Sequence, residues 1–159
     1  MISVDLEQVL AATHVPAAFT ALGAGVAVLL LRKGTHTHRA IGTVYVVALV
    51  VVNVAALSLH RESTFGVFHE LAVVSLVTIV VVLSPLLVGK RSPMIITTHA
   101  YCMTGSYAGL VAAGGGQLTV ALAQDVGAWA VPAAIATVLS ISGVAIFRES
   151  AVNAQSHAG

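Results

Sequence analysis

Charge is what this sequence has least of. Only 8% of its 159 residues are Asp, Glu, Lys or Arg, against about a quarter in soluble domains. A chain this short leaves much of its surface exposed, so a large aqueous core does not account for the deficit. With 58% hydrophobic residues and a mean hydropathy of +0.99, lipid is the expected solvent for most of it. The few bases form no stripe, which excludes a nucleic-acid partner. Cysteine is almost missing. Cys102, the single one, has no partner for an internal disulfide, falls in an apolar stretch and reads as a small core residue. The Cys-x-x-Cys-His motif is absent, which excludes covalent haem attachment of the c type. The N-terminus lacks the bases of a secretory signal and carries Asp5 and Glu7 instead, so the first apolar run is expected to be a retained span.

Long apolar runs are what the chain has. A membrane span needs roughly 20 predominantly apolar residues, and five stretches reach that length: Val9 to Leu31, Ile41 to Leu59, Phe65 to Val88, Met94 to about Gly115, and Gly127 to Phe147. The valine-rich segment Val73 to Leu83 is assigned to helix, because an open strand cannot cross hydrocarbon. Pro16, Pro85, Pro93 and Pro132 lie near span ends, where proline is tolerated. The run Gly114-Gly115-Gly116 is expected to end the fourth span. The pattern predicts an all-α polytopic membrane protein, one domain over residues 1–159, with a four-helix core at about 9–115 and a fifth span at about 127–147.

The joins carry the charges. Arg32, Lys33 and Arg39 mark the first turn, Lys90 and Arg91 the third, and Arg148 the C-terminal end. Five spans bring all of these to one side, leaving Arg61 with Asp5, Glu7, Glu62, Glu70 and Asp125 on the other. Bases accumulate in cytoplasmic loops. The expectation is an N-terminus outside, a C-terminus inside, and a multi-pass protein of a bacterial inner membrane.

Four histidines recur at the edges of four successive runs. His14 lies near the start of the first, His38 just before the second, and His69 and His99 near the starts of the third and fourth. An up-and-down chain stacks His14 with His69 toward one face and His38 with His99 toward the other. Ionisable groups in a span are functional candidates by default. The plain alternative is that each bonds a carbonyl or a lipid headgroup and does nothing more. Two opposed neutral imidazoles are a common way to hold six-coordinate haem iron, so two haems b are the expected cofactors. Arg39, with Lys90 and Arg91, would meet the inner propionates and Arg61 the outer ones; the same bases also serve simply as topology signals. Small residues follow the histidines on their faces: Ala18, Ala21 and Gly25 after His14; Cys102, Ser106, Gly109 and Ala113 after His99. These leave room for a flat cofactor or let helices pack closely.

A competing chemistry is a zinc site built from His14, His60 and His69 with Glu62 or Glu70, as in a metal-binding or metal-transporting protein. His36 precedes His38 by two residues and takes another helical face, and His157 lies in a polar tail. Asn53 and Tyr107 are read as structural groups that hydrogen-bond across helices. Tyr45 and Tyr101 are read as interfacial anchors, with a quinone pocket as the other option.

Two segments have a familiar form. His38-Arg39-Ala40-Ile41-Gly42-Thr43-Val44-Tyr45 resembles the His-Arg-x-x-Gly-Arg-x-Tyr motif of a bacterial family of predicted membrane proteins, domain of unknown function 2306. The stretch from His99 to Tyr107 is similar to that family's His-Arg-x-Trp-Met-x-x-Ser-Tyr, and His14-Val15-Pro16-Ala17-Ala18 fits its first span. Thr43 and Ala100 stand where the family has arginine, and Cys102 where it has tryptophan. The resemblance covers roughly residues 10 to 115. The alternating pairs also resemble the four-helix core of the cytochrome b-561 type, which implies an outer haem on His14 and His69 and an inner one on His38 and His99. The function implied is transmembrane electron transfer, as a protein in its own right or as a membrane oxidoreductase subunit. A quinone or small redox partner would exchange the electrons, and a homo-oligomer is compatible with it. A scaffold with incidental histidines is the third reading.

Overall fold

The computed structural model describes residues 6–58 and 67–123, with side chains over 8–58 and 69–118. Every element among them is a helix: α1 Leu6–Leu30, α2 His36–Ser58, α3 Val67–Leu87 and α4 Pro93–Ala123. Three are long and apolar enough to cross a membrane, over Gln8–Leu30, His36–Ser58 and His69–Leu87. α4 has the length, but Thr97, Thr98, His99, Gly105, Ser106 and Gly109 dilute its apolar character. The fifth stretch, 127–147, lies outside the described residues. The chain divides into two units at Val88 and Gly89. α1 to α3 belong to the first and α4 to the second.

Helix boundaries follow local hydrogen bonding. α1 ends at Leu30, where the Lys33 ammonium donates to the carbonyls of Val28 and Leu29, both at 2.8 Å. These carbonyls have no helical partner and carry the negative end of the helix dipole. Gly34 then takes φ +79°, a left-handed turn that L side chains adopt at a cost. Thr35 caps α2: its hydroxyl accepts the His38 amide at 3.1 Å, and its carbonyl accepts that of Arg39 at 3.1 Å. The cap carries the helix back to His36, five residues before the apolar run begins at Ile41.

The next join is built alike. Gly89 has φ +80°, the Ser92 hydroxyl accepts the Ile95 amide at 3.3 Å, and Pro93 occupies the first helical position, where its missing amide loses nothing. At its far end α4 departs from expectation. It runs through Gly114, Gly115 and Gly116 to Ala123. Each glycine costs a helix about 1 kcal/mol relative to alanine, but no proline follows, and a helix in lipid keeps its backbone bonds because nothing else satisfies them.

Within the first unit, α2 packs against both α1 and α3, and α1 and α3 make no close backbone approach among the described residues. The covered face of α2 is Tyr45, Ala48, Leu49, Val52, Asn53 and Ala55. On α1 it includes Ala21 and Gly25, and on α3 Ala72, Ile79 and Val82. The small residues of α1 thus serve close helix packing. Large apolar side chains point outward instead, Phe19 at 71% exposure and Val80 at 66%, the distribution of a bundle solvated by lipid.

A polar bond crosses from α2 to α3: the Asn53 amide donates to the Ser75 hydroxyl at 2.9 Å. In hydrocarbon neither group finds water, but the separated helices find substitute partners, so such bonds average about 0.6 kcal/mol. A double-mutant cycle over Asn53→Ala and Ser75→Ala, measured by unfolding in detergent, is expected to give a coupling of about 0.5–1 kcal/mol. Strict additivity would remove this bond from the account.

Candidate functional site

The first three histidines head the covered stripes of their helices. From His14, steps of seven and eleven residues reach Ala21 and Gly25. From His38, the same steps reach Tyr45 and Leu49. From His69, steps of three and ten reach Ala72 and Ile79. Steps of three, four and seven keep to one helical face. His14, His38, His69 and, on α4, His99 are all half-buried, whereas His36 is exposed. The two-residue step from His36 to His38 turns the side chain some 200° around the helix, which explains the contrast.

His38 has the best-defined surroundings. Its ring lies by the end of α1, near the Val28 carbonyl and the Lys33 ammonium. Its Nδ1, like that of His14, is shielded from solvent and makes no hydrogen bond among the described residues. A neutral imidazole has one N–H and one lone pair. A ring that donated through one nitrogen would keep the lone pair on the other, and a ring flip exchanges the two. Metal-ligating histidines characteristically hold a backbone carbonyl or carboxylate with the second nitrogen, and the α1 terminus offers His38 such a carbonyl. An interior nitrogen with no partner is otherwise expensive. The Nδ1 of His99 is shielded as well.

Arg39 follows on an exposed face and donates from Nη2 to the Gly34 carbonyl at 3.2 Å, so the first turn holds it near His38. Glu70 is exposed, one residue beyond His69. His60, Glu62 and Arg61 lie outside the described residues, so the three-histidine zinc arrangement is not assembled from what is described. Among the described residues no three of His, Cys, Asp and Glu come together.

The register within the first unit fixes relative depths. Ala17 and Thr20 line a shallow groove with Thr43, Val44, Val47 and Ala48, and five residues join Leu30 to His36, so His14 stands about level with Val51 or Val52. The Asn53 to Ser75 bond sets His69 level with a point just past Ser58. Both rings belong to the end of the unit opposite His38, but His69 lies nearer the edge by about seven residues, roughly 10 Å of helical rise.

Sequence reasoning missed three features. Tyr45 is 2% exposed and packs inside the unit rather than anchoring at the interface. The caps at Thr35 and Ser92 were signalled by a Thr or Ser three residues before the bonded amide. Ser75 as the partner of Asn53 had no sequence signal, since the long separation depends on helix register.

No curated protein and no solved structure is a match to the chain. The family model described as "Predicted membrane protein (DUF2306)" matches residues 11–149. That match extends past the resemblance at residues 10–115 and takes in the stretch 127–147. The chain therefore belongs to the DUF2306 family of predicted membrane proteins.

Proposed function

We propose that this membrane protein holds two haems b, each between two histidines, and carries electrons across the bilayer. The observation that carries the proposal is that His14, His38 and His69 each head the covered face of a helix in an otherwise apolar bundle. His14 and His69 would ligate the outer haem. Alternation along the chain pairs His38 with His99 for the inner one, as in the cytochrome b-561 type of core.

Within the first unit, α1 and α3 make no close backbone approach among the described residues, whereas helices in direct contact run 8–10 Å apart, too close to seat a porphyrin. The shielded nitrogens of His14 and His38 are suited to a metal and ill suited to being left bare. Bound haem would supply an iron that changes oxidation state. The protein's share is to orient the imidazoles, exclude water with the covered apolar stripes, and meet the inner propionates with Arg39.

The reading includes the finer topology: five spans, the N-terminus outside, the C-terminus inside, and a bacterial inner membrane. Quinol or a small reductant would serve as donor. An absorption spectrum of the purified protein, first air-oxidised and then dithionite-reduced, tests the cofactor. Sharp reduced-state bands are expected. A colourless protein with stoichiometric zinc overturns the haem reading in favour of a metal-binding one, and a colourless protein without metal leaves a scaffold.

A further inference from the structure

The turn between α1 and α2 carries Arg32, Lys33, His36 and Arg39 within eight residues, while from Gln8 to Ser58 the sequence has no Asp or Glu. These bases do different work. Lys33 is committed to the fold: its ammonium bonds the Val28 and Leu29 carbonyls, both at 2.8 Å. Desolvation by burial lowers its pKa, as expected of a cation drawn onto a helix end. The side chain of Arg32 is exposed and makes no hydrogen bond or ion pair among the described residues. Arg39 is exposed and uses one N–H on the Gly34 carbonyl, which leaves the rest of its guanidinium fork open.

The turn joins two helices that are each long and apolar enough to span a membrane, and only five residues separate them. That short reach keeps the turn at the bilayer surface. Neither guanidinium has an ion pair among the described residues, and phosphates of anionic lipids supply a counter-charge there in fork-matching geometry. We propose that Arg32 and Arg39 form a headgroup clamp for an anionic phospholipid, and that Lys33, although the third base of the turn, takes no part in it. The Arg32 half of the clamp does not depend on the haem reading, which would give Arg39 to a propionate.

The test is thermal unfolding of the full-length protein in neutral detergent, titrated separately with phosphatidylglycerol, phosphatidylcholine and inorganic phosphate. Phosphatidylglycerol should raise the midpoint, and the other two should not. R32Q should weaken the half-saturating phosphatidylglycerol concentration by roughly fivefold and R32Q/R39Q by roughly thirtyfold, at about 1 kcal/mol per base at the surface. K33Q should lower the midpoint without lipid, through loss of the helix cap, but hold half-saturation within about twofold. R32Q carries the test if the double variant does not fold, since the Arg32 side chain makes no hydrogen bond or ion pair among the described residues. The clamp is overturned if R32Q titrates like the parent, if K33Q loses the lipid response as R32Q does, or if phosphatidylcholine or phosphate acts like phosphatidylglycerol.

Discussion

If the chain holds two haems as proposed, alanine at His38 is expected to halve the haem content, from two per chain to one, while alanine at His36 leaves both. The two residues share a turn, a charge environment and a distance from the membrane edge, but one ring is half-buried against the Val28 carbonyl and the other is exposed. On the proposed reading His38 is one of two histidines that would hold the inner haem, and its removal would be enough to lose a non-covalent haem during purification. His99→Ala should match His38→Ala, because alternation assigns them one iron, and the double variant should lose no more than either alone. His60→Ala should be silent. Haem per chain, measured after denaturation in alkaline pyridine, checks all five variants. Equal loss from His36→Ala and His38→Ala would show that the buried face has no privileged role, and loss from His60→Ala alone would favour zinc-type chemistry at the outer edge.

The outer haem should leave the protein faster than the inner one, by a factor of ten or more. The register puts His69 roughly 10 Å nearer the edge than His14, whereas one iron needs its two imidazoles at one depth. Side chains on parallel α1 and α3 lean toward the same helix end, so their tilt does not close the difference. Closing it takes a slide of α3 along α2, which breaks the Asn53 to Ser75 bond and shifts the packing of Ala72 and Ile79. A factor of ten corresponds to 1.4 kcal/mol, so a slide that costs at least that much produces the expected difference. Transfer of haem to excess apomyoglobin should then be biphasic. His14→Ala should abolish the fast phase and His38→Ala the slow one; a single phase, or the reverse assignment, contradicts the register argument.

Most of this architecture can be read from the chain, because a bilayer imposes simple rules. Apolar runs must be helices, and the three helices that meet the span criterion begin and end within five residues of the runs that predict them. Failures occur where a local hydrogen bond outweighs hydropathy. Thr35 pulls α2 back across His36 and His38, and the absence of a stop signal lets α4 run on through three glycines. Tyr45 is a failure of a different kind. Hydropathy places a tyrosine at an interface, but its seven-residue step from His38 puts it on the covered face, which only the stripe as a whole reveals. The histidines were legible one by one as unusual residues in apolar runs. Their relative depth was not, since it depends on the register of one helix on another.

The most direct measurement is low-temperature electron paramagnetic resonance of the oxidised, purified protein, with spins counted against chains. Two low-spin ferric signals of bis-imidazole type, integrating to two per chain and falling to one in His38→Ala, are the predicted result. A protein that has taken up haem yet shows only high-spin iron, or keeps both low-spin signals without His38, would contradict ligation by paired histidines.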